Sequence, residues 1–292
     1  MAKDDGPQSR DPTKALEYKE KGNRCFQSGD FKGAHSFYTQ AISYDPTNPA
    51  FFTNRATACI KLQDWQIVID DSVQAIDLQP ENMKAFYNLA QAQIALDHPG
   101  EALSSAKKAH ELCVKEIHSG GKGGSSITVI TELVLRCKKE GWEKREKARE
   151  RGRDGLNKEL IELLRRECEK EEKELVTEGR GDEVTDLTRE YEIKIEELKS
   201  TFEMAKIGNE MERKKKVPDW VVDDITFSVM FDPVVTKTGQ SYDRSSIMEH
   251  LKRSPTDPLT REPLRVQDLR PNLALKAACE EYLENNGWAV DW

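Results

Sequence analysis

No two cysteines of this 292-residue chain stand in C-x-x-C spacing; the six are scattered at 25, 59, 113, 137, 168 and 279. That scatter suits free thiols in a reducing compartment better than a disulfide frame. No apolar run approaches the roughly 18 to 20 residues that cross a bilayer, and the opening MAKDDGPQSRDPTK is polar, so neither a signal peptide nor a membrane helix is expected. A basic excess is missing too: the formal net charge of -8 argues against a general nucleic-acid binder. The cytosol is the expected location, together with the nucleus. Charged residues make up 34% of the chain against 37% hydrophobic, above the roughly 25% charged of globular domains. Some part must therefore be a long solvated helix or disordered. The length allows two or three domains.

Residues 1–14 read as a disordered N-terminus, polar with Gly and Pro. From Ala15 the chain repeats every 34 residues: Ala34, Val68 and Ala102; Ala41, Ala75 and Ala109; Gly22, Ala56 and Ala90; Pro46 and Pro80. Small residues recur where two antiparallel helices cross closely, and the prolines end the second helix of a pair. This resembles the tetratricopeptide (TPR) pattern, with GN-x-x-F-x-x-GDF-x-x-A over residues 22–34 the fullest match, and implies three TPR repeats over residues 15–118 stacked as an all-α superhelix. Gln63-Asp64-Trp65 and Asp97-His98-Pro99 depart from the pattern where Gly-Asp-aromatic would stand.

Lys19, Asn23, Asn54 and Lys84 fall on the first helices, which face the groove, and Lys19 and Asn23 share a face at i, i+4. Two ammonium and two amide groups converging would suit a carboxylate. The set resembles the carboxylate clamp of chaperone-binding TPR domains, which implies binding of the C-terminal EEVD peptide of heat-shock chaperones, with Ala50 and Tyr87 lining an apolar pocket. The same family adds an acidic or aromatic contact from the helix after the third repeat; no Asp here corresponds, because a Gly/Ser loop, residues 119–126, intervenes before a capping helix over 127–142.

Residues 143–216 mix Glu, Lys and Arg with almost no aromatics and no proline. Leu156, Leu160, Leu163 and Leu164, and later Leu187, Tyr191, Ile195, Leu198 and Phe202, recur at helical spacing around a break at 178–183 that holds two glycines. The reading is a charged, coiled-coil-like helical hairpin. Its single seam is too small to be stable alone, so a homodimer through the hairpin is expected, with a solvated spacer as the other reading.

Residues 217–292 hold an extended-prone run at Val234-Val235-Thr236, a turn at 237–240, a helix capped by Asp243 with Ile247, Met248 and Leu251 on its apolar face, the loop SPTDPLTREPL, and a last helix stopped by Gly287. DPVVT, G-x-x-YDR, DPLTREPL and PN-x-A-L-K in this order resemble the U-box family, a small α+β domain with the fold of a RING domain and no zinc. Cys279 and His250 are too few and too far apart to be zinc ligands, so no metal or other cofactor is implied and both read as packing and helix surface. The resemblance implies docking of a ubiquitin-conjugating enzyme on Ile225, Phe227 and Pro258, with Arg261 bridging that enzyme and ubiquitin through its guanidinium. The Asp223-Asp224 pair reads as loop surface. Tyr242, Asp243, Thr260 and Asn272 read as the hydrogen bonds that replace zinc.

A TPR array, a charged hairpin and a U-box in this order resemble the CHIP family of chaperone-associated ubiquitin ligases. The implied activity is ubiquitin transfer by orientation, with chaperone and misfolded client as partners and no nucleic acid or membrane. A chaperone adaptor with an inactive U-box is the alternative; a splicing-type scaffold is disfavoured by the clamp.

Overall fold

The structure, a computed structural model, describes residues 10–121, 126–213 and 217–292, with no side chains described at 206–213. The expected disorder of residues 1–9 and most of the Gly/Ser loop lie outside the described residues. Two compact units form: one holds the repeats and the C-terminal domain, the other holds residues 142–220.

Six helices make the repeats: α1 (Pro12–Gln27), α2 (Phe31–Tyr44), α3 (Pro49–Leu62), α4 (Trp65–Leu78), α5 (Met83–Ala95) and α6 (Pro99–His118). Helix α1 starts three residues before the expected boundary at 15. Asp11 caps it by accepting from the Lys14 amide, and Pro12 occupies a first-turn position where its missing N–H costs nothing. The 34-residue spacing has a visible cause at Gly22, where an added Cβ would stand 2.6 Å from Cε1 of Tyr38. One and two repeats on, Ser72 and Ala106 stand at the positions equivalent to Tyr38, so no ring crowds the matching Ala56 and Ala90, and Gly22, Ala56 and Ala90 all stay buried.

The two repeats with altered corners keep the same backbone. Gly29 turns the first corner at φ 83°, and Gln63 and Asp97, 34 and 68 residues later, hold the left-handed region at φ 60° and 61°. Side chains are strained there, so Gln63→Gly should raise stability by about 0.5–1 kcal/mol, read as a higher urea midpoint. A lower midpoint would mean that the exposed Gln63 side chain makes contacts that outweigh the strain.

Helix α7 (Ile127–Thr177) is a single 51-residue helix, so the expected capping helix and the first helix of the expected hairpin are continuous in backbone, while the boundary between the two compact units falls inside it at 141/142. No proline interrupts that stretch, and the helix runs through Gly141, Gly152 and Gly155. It ends before Gly179 at φ 77°. Residues 181–183 form a 3-10 turn, and α8 (Val184–Arg213) follows. Within residues 142–220, α7 and α8 run antiparallel: Thr188 Oγ1 donates to Glu172 at 2.9 Å and the Tyr191 hydroxyl to Glu171 at 3.0 Å. Leu156 and Leu163 remain about half exposed, at 49% and 52%.

The C-terminal domain has β1 (Pro233–Val235), β2 (Ser241–Asp243), α9 (Arg244–Arg253), β3 (Arg270–Pro271) and α10 (Leu273–Asn285). The antiparallel sheet has order β2-β1-β3, with Val234 opposite Tyr242 and Pro271. Val234, Tyr242, Ile247, Met248, Leu264 and Leu269 bury its core. Asp243 caps α9 and Asn272 caps α10. The chain is thus an all-α helical-repeat region followed by a small α+β domain.

Candidate functional site

The groove side chains fall into two pairs. Lys84 at the start of α5 reaches across to α3, its Nζ donating to Asn54 Oδ1 at 2.9 Å. The groove walls strip enough water from this ammonium to push it below the usual lysine range, although its outer side stays open. On α1, Lys19 Nζ lies 3.4 Å from Glu20 Oε1, and Asn23 Nδ2 donates to the same oxygen at 3.3 Å. Lys19 and Asn23 therefore already act together on one carboxylate, here Glu20. The buried Tyr38 hydroxyl donates to Asn23 Oδ1 at 2.9 Å and so fixes which edge of the amide faces out. Burial, helped by the charge of Glu20, pushes that phenol up to about 12, so it remains a donor.

Ala50 is exposed at the start of α3, and Tyr87 is half-buried, packed against the cores on both sides of it. A pocket beside Lys84 is bordered by Met83, Leu112 and Lys115, with Lys115 paired to Glu81. The sequence reading passed over Met83 and Leu112. Leu112 lies on a second helix, and the groove was read from first helices alone.

In the C-terminal domain two loops are built to one plan. Asp223 accepts from the Thr226 amide at 2.9 Å, its carbonyl accepts from the Phe227 amide at 2.8 Å, and its own amide donates to Ser228 at 2.9 Å. The same three backbone-anchoring bonds recur 34 residues on, where Asp257 accepts from the Thr260 amide at 3.1 Å, its carbonyl accepts from the Arg261 amide at 2.9 Å, and its amide donates to Glu262 at 2.8 Å. Isolated bridges close both loops, Val222 with Val229 and Thr256 with Pro263. DDITFS and DPLTRE thus share Asp-x-apolar-Thr followed by a residue in the left-handed region, Phe227 at φ 57° and Arg261 at φ 61°. Such backbone is uncommon outside Gly and Asn, and here it carries the two side chains outward.

Phe227 is 70% exposed and Leu259 64%. Ile225 and Pro258 are half-buried, Ile225 also packing on the core, and Arg261 is exposed. Leu259 stands where Ile225 stands in the first loop, a correspondence visible only when the two segments are aligned on each other.

The carboxylates that hold these loops are Asp223 and Asp257. Asp223 is fully buried and also accepts the Asp243 amide at 2.8 Å, which corrects its reading as loop surface; Asp224 alone is exposed. Asp257 takes the Tyr242 hydroxyl at 3.0 Å and Thr238 Oγ1 at 3.1 Å. Asp243 receives the Phe231 and Asp232 amides, and Asn272 donates to Ser241. Thr260 serves through its backbone, with its hydroxyl accepting from Glu262 at 3.4 Å. Cys279 is buried, whereas His250 is half-buried and bonded to the Thr256 carbonyl at 2.9 Å, so it helps seat the second loop.

Residues 217–288 match the family model of the U-box domain. Among curated proteins, "E3 ubiquitin-protein ligase CHIP" of Arabidopsis thaliana is 39% identical over 100 residues, 34% of this chain and 36% of that protein. "Ubiquitin conjugation factor E4" of Schizosaccharomyces pombe is 38% identical over 79 residues, 27% of this chain and 8% of that one. The chain therefore spans little more than a third of the first relative and under a tenth of the second. The solved "TPR2B-domain:pHsp70-complex of yeast Sti1" is 29% identical over 42% of this chain and 95% of its own, at a TM-score of 0.40. The chain carries a U-box domain together with TPR-like helical repeats, and resembles the CHIP and E4 kinds of U-box protein.

Proposed function

We propose that this chain is a chaperone-coupled ubiquitin ligase. The groove of α1, α3 and α5 takes the C-terminal EEVD peptide of a heat-shock chaperone, and loops 223–228 and 257–262 hold a ubiquitin-conjugating enzyme so that ubiquitin passes to lysines of the chaperone or its misfolded client. The observation that carries this reading is the pair of matched loops. Each is locked by a buried aspartate, and together they offer Ile225, Phe227, Pro258 and Leu259 as an apolar surface beside the Arg261 guanidinium. An exposed aromatic in a rigid loop is the kind of group that anchors a protein interface.

Four of the six cysteines are unsuited to a covalent relay, which favours transfer by orientation. Burial raises the thiols of Cys113 and Cys279 to about 11 and those of Cys59 and Cys137 to about 12, so each stays protonated at neutral pH and is a poor nucleophile. The domain's part is then to restrict the conjugating enzyme and its ubiquitin to a reactive geometry. Arg261, with five donors on a planar head, can hold two carbonyl groups at once. A homodimer forms through the half-exposed Leu156 and Leu163 on α7, whose burial against a second copy removes apolar surface from water.

An autoubiquitination assay with purified activating and conjugating enzymes tests the activity, and no product would leave only a binding role. For the groove, Lys84→Ala should weaken binding of an EEVD peptide at least about tenfold, since a charge-assisted hydrogen bond contributes roughly 1.5–3 kcal/mol. Calorimetry with unchanged affinity would refute the clamp.

A further inference from the structure

A buried contact joins the third repeat to the U-box domain, and the proposed transfer chemistry makes no use of it. Phe231, 7% exposed, lies in one cluster with Ala106 of α6 and Leu133, Val134 and Cys137 of α7. Its ring meets the edge of His110 on α6, with centroids 5.1 Å apart and planes at 86°. Charged pairs surround this apolar centre: Lys107 of α6 with Glu280 of α10, and Lys139 of α7 with Asp291. Lys138 Nζ stands 4.0 Å from the same Glu280.

His110 is the mismatched group. It is 5% exposed, its Nε2 has no hydrogen-bond partner among the described residues, and Asp232 Oδ2 is 3.9 Å away. Both oxygens of Asp232 are already engaged, Oδ2 by Arg244 Nε at 2.6 Å and Oδ1 by Lys276 Nζ at 2.8 Å. Asp243 completes the group, accepting the Phe231 and Asp232 amides at 2.8 Å. Two carboxylates and two cations balance, and a proton on His110 would leave a charge unmatched where little water can reach it. Burial accordingly pushes the imidazole below its usual range; Asp232 and Asp243 pull the other way, and Lys276 and Arg244 add to the depression.

We propose that this face of α6 and α7 is a docking surface for the chain's own U-box domain, closed while His110 is neutral and released by acidification. Once released, His110 meets water and titrates near 6.5. The released state therefore takes up a proton that the docked state excludes. Docking is at full strength above pH 6.5 or so and weakens below it, by up to about tenfold in its equilibrium constant between pH 7.2 and pH 5.5. Phe227 and Leu259 stay exposed in the docked state. Docking thus fixes where the transfer loops stand relative to the groove without covering them.

Two measurements on the full chain test this. Zero-length carbodiimide coupling at pH 7.2, mapped by mass spectrometry in the monomer band of a denaturing gel, should join Lys107 to Glu280 about as efficiently as Lys115 to Glu81, a pair internal to the repeats. A yield below about a tenth of that internal pair would overturn the docking. NMR titration of the histidines should place the His110 midpoint well below that of an exposed imidazole, and Phe231→Ala should raise it towards the ordinary value as the interface loosens. Glu280→Lys, which leaves the U-box core untouched, should raise it in the same direction and covers the case in which Phe231→Ala misfolds. A midpoint near 6.5 in the native chain, or one that neither substitution moves, would overturn the proton linkage.

Discussion

Phe227→Ala is expected to slow ubiquitin discharge from a loaded conjugating enzyme roughly 30-fold, the consequence of losing about 2 kcal/mol from an interface anchor. The fold should survive the change. The ring is 70% exposed, and the hydrogen bonds of its loop run through Asp223, Thr226 and the backbone, so truncation leaves them in place. Thermal unfolding should accordingly stay within about 0.5 kcal/mol of the native chain. Arg261→Ala makes the informative contrast. It occupies the matching position of the second loop, but a cation that bridges enzyme and ubiquitin should affect the transfer step more than the binding of the unloaded enzyme. Unchanged discharge for Phe227→Ala, or equal losses of binding and transfer for Arg261→Ala, would remove these residues from their assigned roles.

Asp257→Ala should have the opposite profile, with the fold lost first and activity lost because of it. The Asp257 side chain accepts from the Leu259 and Thr260 amides, the Tyr242 hydroxyl and Thr238 Oγ1. Removing it strands buried donors, at roughly 1–3 kcal/mol for each that finds no water, and about 3 kcal/mol or more in all is expected. Burial alone would raise this carboxyl; the amides of Thr260 and Leu259, then Tyr242 and Thr238, outweigh it and hold it below the usual range. A carboxyl depressed in the folded state stabilises fully above its unfolded value, near 3.9, and that contribution is lost as pH falls through the lower folded value. Asp257→Asn should therefore flatten the acid limb of the U-box melting curve. An Asp257→Ala chain that melts like the native one would show that the loop is held by other contacts.

Much of the repeat region was legible because close helix crossing demands small residues, and Gly22, Ala56 and Ala90 mark that demand at a fixed period. The clamp candidates were singled out as polar residues on the first helices through their resemblance to a known clamp. The carboxylate staples were not. Asp223 sits in an Asp-Asp pair that looks solvated, and only the fold reveals that one of the two points inward to the Asp243 amide. The second apolar finger, Leu259, was hidden in a motif read for its prolines and arginine. Lys107, His110 and Glu280 look like ordinary helix-surface residues, and nothing local links positions 173 residues apart. The continuity of α7 was not legible, since Gly141 stands beside the division and only the structure runs the helix through it, while the boundary between the two compact units falls almost at the same place.

In the proposed function the two sites act together, a free C-terminal carboxylate held in the groove bringing its protein to the U-box. The direct measurement is the rate at which the full chain, with activating and conjugating enzymes, ubiquitinates a protein ending in EEVD, against the same protein with that terminus amidated. The account predicts at least about tenfold slower modification of the amidated form at subsaturating concentration, since the charge-assisted contacts to the carboxylate are lost. Equal rates would contradict it.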